Sequence, residues 1–314
     1  MTALSLFFVS FTACSNDDDG VKPPVVETNT IADFVASNPN YSSLAAALEV
    51  VGLTATLDGT TNYTVFAPDN DAFATFLDDN GFASLNEVPE TLLEQVLLNH
   101  VQQGAIMSGD LTTGYIPSMA VGEASNEKLS MYINTDSGVT INGVATVETA
   151  DIEVDNGVIH AVDAVIGLPS IVTFATADPN FSTLVTALTR ESDYTFVETL
   201  MMTSDPAPFT VFAPTNQAFA DLVAELEISG LGDLSSELLA TVLSYHVVPS
   251  ANVRSSDLSD GMMVTALSGD DFTVNLGDNV TLTDERGRTS TVVAADVQAN
   301  NGVIHVIDTV LLPE

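Results

Sequence analysis

The chain has 314 residues, with 43 acids against 6 bases, a formal charge of −37 and 46% hydrophobic residues. That length accommodates two ordinary domains, each able to bury its own core, and the apolar content excludes a disordered chain. Phosphate recognition needs clustered Lys or Arg, so nucleic acid is excluded as a partner and anionic lipid headgroups are disfavoured.

At the N-terminus, residues 3–13 are apolar and small, too few to span a bilayer as a helix. They end at Cys14, the single cysteine, so disulfides within the chain and CxxC chemistry are excluded. Residues 1–13 read as a secretory signal of lipoprotein type, although no basic residue precedes the apolar run. Phe11-Thr-Ala-Cys14 is similar to a bacterial lipobox, in which the cysteine is lipidated and becomes the new N-terminus. The acidic run Ser15-Asn-Asp-Asp-Asp-Gly20 resembles the surface-export signal of some bacterial lipoproteins. The expectation is an outer-membrane lipoprotein exposed at the cell surface. Its membrane contact is through a lipid anchor on Cys14 only, with residues 14–27 as tether.

Beyond the tether the sequence is written twice. Tyr63-Thr-Val-Phe-Ala-Pro-Asp-Asn-Asp-Ala-Phe73 recurs as Phe209-Thr-Val-Phe-Ala-Pro-Thr-Asn-Gln-Ala-Phe219. Asn156-Gly-Val-Ile-His160 recurs as Asn301-Gly-Val-Ile-His305. Two unrelated patterns kept at nearly one separation mean duplication of a whole domain, with units at 28–169 and 170–314.

Each unit opens with helical spacing, Leu44, Ala47 and Leu48 in the first and Leu184, Ala187 and Leu188 in the second, with Ser42 and Ser182 as expected N-caps. A short strand follows at Tyr63-Thr-Val-Phe66. Pro68 stops it, and Asp69 (Thr215 in the copy) is placed to cap the next helix. Pro89–His100 and Ser235–His246 form another helix, each ending on a histidine that faces the negative end of the helix dipole. The last third of each unit alternates like strands, as in Met131-Tyr-Ile-Asn134 and Phe272-Thr-Val-Asn275. The Asn-Gly pairs at 142–143, 156–157 and 301–302 favour tight hairpin turns. Helices first and antiparallel strands last predict an α+β fold.

The pairs TVFAP-x-N-x-AF and NGVIH-x-x-D-x-V, with Asn99-His100 or Tyr245-His246 between them, resemble the fasciclin domain. The resemblance covers about 28–314 and implies two tandem domains, each a β-wedge packed with several helices. It implies a secreted or surface-anchored module of adhesion to matrix, cells or polysaccharide. It also implies two interaction elements. A Tyr-His element corresponds to Tyr245 and His246, with Asn99 in place of the tyrosine in the first unit. An Asp-Ile pair, linked in the family to integrin binding, corresponds to Asp151 and Ile152, and reads Asp296 and Val297 in the second unit.

No nucleophile, metalloprotease, P-loop or dinucleotide motif is present. All four histidines, His100, His160, His246 and His305, fall at repeat-equivalent places, which favours a role in the scaffold over one in catalysis. His160-x-x-Asp163 has metal-like spacing, but on a strand the two residues point to opposite faces. Catalytic, cofactor and metal residues are therefore all expected to be none. The acidity reads as solubility in a salty medium or as attraction for cations, and Asp69-Asn-Asp71 lacks the glycine and glutamate of a calcium loop. The expected function is a surface-anchored, non-catalytic module binding extracellular matrix, protein or polysaccharide. The alternative is a glycan-binding accessory to polysaccharide uptake or degradation.

Overall fold

A computed structural model describes residues 29–314, so the leader, Cys14 and the tether lie outside the described residues. In the first repeat, Thr30 opens α1 (Ile31–Ser37) with a reciprocal cap. The Asp33 amide donates to the Thr30 hydroxyl at 3.2 Å, and the Thr30 amide donates to the Asp33 carboxylate at 3.0 Å. There follow α2 (Ser42–Val50), α3 (Thr54–Leu57), β1 (Tyr63–Pro68), α4 (Asn70–Asp79) and α5 (Glu90–Leu98). The remainder is strand: β2 (Val101–Gln103), β3 (Gly114–Val121), β4 (Lys128–Asn134), β5 (Thr140–Ile141), β6 (Ala145–Val154) and β7 (Gly157–Val162). The second repeat runs α6 (Ile171–Ala177), α7 (Ser182–Leu188), α8 (Phe196–Met201), β8 (Phe209–Pro214), α9 (Asn216–Glu225) and α10 (Ser236–Tyr245). It closes with β9 (Val247–Val248), β10 (Met262–Thr265), β11 (Asp271–Leu276), β12 (Val280–Thr283), β13 (Thr289–Ala299) and β14 (Gly302–Ile307).

Each repeat is thus an α+β unit around a seven-stranded sheet, ordered β2-β1-β7-β6-β5-β4-β3 in the first and β9-β8-β14-β13-β12-β11-β10 in the second. These are one topology twice. The sheet is antiparallel except between its second and third strands, where β1 pairs in parallel with β7, and β8 with β14. The sequence reading placed only antiparallel pairing here. The parallel pair arises because the intervening helices and strands carry the chain back to the same end of the sheet.

Both strands of the parallel pair are buried along their whole length. Alternation then divides their side chains between two cores. Val65, Ala67, Ile159 and Ala161 pack under the helices, whereas Phe66 and Val162 fill the wedge made by the remaining strands. Val211, Ala213, Ile304 and Val306 repeat the first set, and Phe212 and Ile307 the second.

Ser42 and Ser182 do not cap their helices as expected. Both already have helical backbone angles and stand as first helical residues, whereas a capping residue needs an extended conformation. The asparagine of each TVFAP-x-N motif supplies the acceptor from a distance: the Ser43 amide donates to Asn70 Oδ1 at 2.9 Å, and the Thr183 amide to Asn216 Oδ1 at 2.8 Å. Asp69 and Thr215 do cap α4 and α9, accepting from the Ala72 and Ala218 amides. Among the described residues, no helix is long and apolar enough to cross a membrane.

Candidate interaction site and domain interface

The Asp-Ile element lies on a β-bulge. Register shifts interrupt β6 between Thr149 and Ile152, and β13 between Ala294 and Val297. Asp151 and Asp296 sit there at φ 62° and 63°, a region that aspartate tolerates better than most residues. A bulge frees one amide from the ladder, and the following strand satisfies it: the Asp151 amide donates to His160 Nδ1 at 3.2 Å. The carboxylate turns to the loop before β3, where it accepts from the Ser108 amide at 2.7 Å and the Ser108 hydroxyl at 2.6 Å. Asp296 and Ser255 repeat the arrangement at 2.8 and 2.5 Å.

The Ser108 hydroxyl and amide hold the Asp151 carboxyl below its ordinary range. Burial opposes the same shift at Asp296, but Ser255 and the Arg254 guanidinium prevail and its carboxyl is also lowered. Asp, Ser and His come together without forming a catalytic triad. The serine is bonded to the aspartate rather than to the imidazole, so the imidazole is not positioned to take its proton as in a triad.

The histidines divide into two pairs with opposite tautomers. His160 Nδ1 accepts from the Asp151 amide, so its Nε2 carries the proton and donates to the Ile106 carbonyl at 3.0 Å. His305 does the same between Asp296 and Val253. At His100 the Ile166 amide donates to Nε2 at 2.8 Å, so Nδ1 carries the proton and donates to the Val96 carbonyl at 2.7 Å. That bond caps a last-turn carbonyl of α5. His246 copies it with Leu311 and Val242. Burial pushes His100 and His246 down to about 4, and it also lowers His305.

Of the interaction residues expected from sequence, Tyr245, His246 and Val297 lie in the interior at 0%, 3% and 4% exposure. The Tyr245 hydroxyl donates to the Asp271 carbonyl at 2.6 Å. Ile152 is half-buried against the helical core. Asp151 and Asp296 reach the surface in part, their side chains 33% and 23% exposed. His160 and Asp163 are engaged apart, since Asp163 accepts from the Thr146 amide at 2.6 Å. Among the described residues, no group of three or more His, Cys, Asp or Glu is arranged to hold a metal ion.

Sequence reasoning did not name the residues that join the repeats. The Tyr115 hydroxyl donates to Asp178 Oδ2 at 3.0 Å, and its ring meets Phe174 edge-on with centroids 5.4 Å apart. Burial, then the Asp178 carboxylate, raise the Tyr115 phenol, and the same two causes push Tyr132 up to about 12. Tyr132, from the first repeat, packs within the core of the second. Asn300 is the hub: its amide donates to the Pro169 carbonyl, its side chain accepts from the Glu123 amide and its carbonyl from the Ala124 amide. The Gln298 amide donates to the Ser130 hydroxyl at 3.0 Å, and Arg254 spans Glu127 and Asp296 at 3.4 and 3.6 Å. Beside this contact lies a cleft of about 470 Å³ of mixed lining, in which Asp79, Glu123, Asp163, Thr173 and Asn300 stand among apolar residues such as Phe76, Leu92 and Val165.

The sequence matches the model of the fasciclin domain over 39–169 and again over 179–313. Protein sll1483 of Synechocystis sp. is 38% identical over 172 residues, covering 54% of this chain and 89% of that protein. Periostin of Homo sapiens is 30% identical over 82% of this chain, and transforming growth factor-beta-induced protein ig-h3 of Sus scrofa 28% over 87%. The chain spans only 29% and 40% of those two animal proteins. Among solved structures, a FAS1 domain pair from the insect cell adhesion molecule Fasciclin I shares the fold. Its TM-score is 0.54 at 20% identity, covering 86% of this chain and 97% of the other.

Proposed function

From the premise that this chain belongs to the fasciclin domain family and carries its domain twice, we propose that it is a non-catalytic adhesion or interaction module that binds an extracellular protein or polysaccharide. Fasciclin domains are known in adhesion and interaction proteins, and the solved pair with this fold comes from a cell adhesion molecule. The observation that carries the reading is the direct docking of the two domains through Tyr115, Asp178 and Asn300. Two binding faces held at one spacing can engage a repeating surface together, which raises avidity without any new contact. The non-catalytic part rests on the imidazoles, all of which spend both ring nitrogens on hydrogen bonds with the protein's own backbone.

In this reading Cys14 carries lipid and residues 15–27 hold the pair away from the outer membrane. Asp151, Ile152 and Asp296 are the expected interaction residues with solvent access. Cells expressing the full chain should be retained on a matrix of extracellular protein or polysaccharide from their own habitat. Cys14→Ala should release the protein to the medium and abolish retention. Equal retention of cells lacking both domains would sink the proposal. A second reading, an accessory that presents glycans to a degradation or uptake system, draws on the cleft beside the domain contact, whose carboxylates can accept from sugar hydroxyls. Defined oligosaccharide hits on a glycan array would favour it, and protein-only capture would favour adhesion.

A further inference from the structure

The second repeat contains a cavity of about 130 Å³ between α6, α7, α8 and the buried strand β8. Phe212, Leu243 and His246 lie at its inner end, and Val172, Val185 and Val197 are half-exposed at its mouth. Its polar residues offer nothing to a ligand. Both His246 nitrogens are committed, one to the Val242 carbonyl and one to the Leu311 amide. The Thr176 and Thr189 hydroxyls donate to carbonyls of their own helix, those of Val172 and Val185. The wall is therefore apolar throughout. A cavity of roughly 150 Å³ with such a lining stays dry and admits benzene.

The duplication supplies an internal control. Leu48, Leu57 and Val101, which correspond to Leu188, Leu200 and Val247, border a cavity of only about 20 Å³ in the first repeat, whose other lining residues, Leu53, Thr56, Tyr63, Leu98 and Met119, have no counterpart in the second-repeat wall. Most of the substitutions between the copies run in one direction, Thr176 in place of Ala36 being the exception. Ala175 stands where the first repeat has Val35, which removes volume from the wall. At the mouth, Val172, Val185 and Val197 replace Ala32, Ala45 and Thr54, and Thr189 replaces Glu49. A longer connection, residues 189–195 against 51–53, also separates α7 from α8. The interior has widened while the entrance has become more apolar and lost a charge, in a chain otherwise dense in acids. Empty space in a core is a stability cost, so relaxation of packing alone explains the wider interior but not the apolar mouth.

We propose that the second repeat binds an uncharged apolar molecule, or the apolar end of a larger one, about the size of a single aromatic ring, entering between α6, α7 and α8. The site is independent of partner adhesion and leaves that reading untouched. Toluene is the probe and benzoate the charged control, both added to the full chain and followed by methyl NMR. Toluene should give saturable one-to-one shifts confined to Val172, Val185, Val197 and Leu200, and benzoate none, because its carboxylate would lose water without gaining a partner. Ala175→Val restores the side chain of the first repeat and should weaken toluene by at least about tenfold, as expected for filling a packed cavity. Val35→Ala, in the other repeat, should leave binding at the second unchanged. If Ala175→Val does not fold, Val185→Phe at the half-exposed mouth must give the same loss. Unsaturable shifts, shifts spread over both repeats, or toluene binding equal in wild type and the filled variant would overturn the proposal.

Discussion

His100 and His246 follow α5 and α10 as buried neutral imidazoles, each donating from Nδ1 to a helix carbonyl and accepting a strand-end amide at Nε2. A proton added at Nε2 would face an amide proton in a dry site, so burial dominates and drives both groups down to about 4. In the unfolded chain the same groups titrate near 6.5. As pH falls below that value the unfolded state takes up protons first, so stability is full above about 6.5 and declines toward 4. The loss is about 3 kcal/mol per histidine at pH 4. Asp151 and Asp296 act in the same sense, because their lowered carboxyls lose stability as pH falls through the folded value. The His100 and His246 imidazole resonances should therefore keep the neutral-form shift down to about pH 5. A midpoint near the ordinary value for either His100 or His246 would contradict this geometry.

The NGVIH segment shows how one element does work that its sequence does not announce. Asn-Gly reads as turn chemistry, and hairpins do form there, joining β6 to β7 and β13 to β14. The asparagine, however, is a clamp: Asn156 accepts from the Ile31 amide and donates to the Leu57 and Gly59 carbonyls, fixing α1 and α3 against the sheet. Asn301 makes the matching set with Ile171, Leu200 and Met202. The glycine is required by close approach, because a Cβ on Gly157 would stand 1.9 Å from the Tyr63 carbonyl oxygen on β1. Gly157→Ala must therefore force apart the parallel pair β1–β7. It should cost several kcal/mol by urea unfolding or prevent folding, whereas Gly109→Ala, in open space, should leave the midpoint unchanged. A Gly157→Ala protein with the wild-type midpoint would refute the argument. The helices, the duplicated unit and the α+β class were legible because apolar periodicity, caps and repeated motifs are local signals. The parallel pairing, the asparagine clamps and the burial of Tyr245 and Val297 were not, since each depends on residues brought together from distant parts of the chain.

At the scale of the whole molecule, the repeats face a conflict between charge and packing. A formal charge of −37 pushes them apart. Their contact opposes that push mostly with groups that salt does not weaken: the Tyr115 ring on Phe174, the Tyr115–Asp178 bond, and the amides and carbonyls gathered at Asn300. Among the described residues, the Arg254–Glu127 pair is the one exposed attraction of charges across the contact. Such surface pairs contribute about 0–1 kcal/mol. Raising salt to about 1 M shortens the screening length to about 3 Å, removing the repulsion and little of the attraction. The two repeats should accordingly tumble as one body at low salt and stay so at high salt, with a single correlation time in 15N relaxation. Tyr115→Ala combined with Asn300→Ala removes the ring contact, the bond to Asp178 and the side-chain acceptor for Glu123. It should yield two shorter correlation times while the amide spectra of both repeats keep their dispersion. Two correlation times in the wild type would show that the contact does not hold the pair and would remove the fixed spacing on which avidity depends.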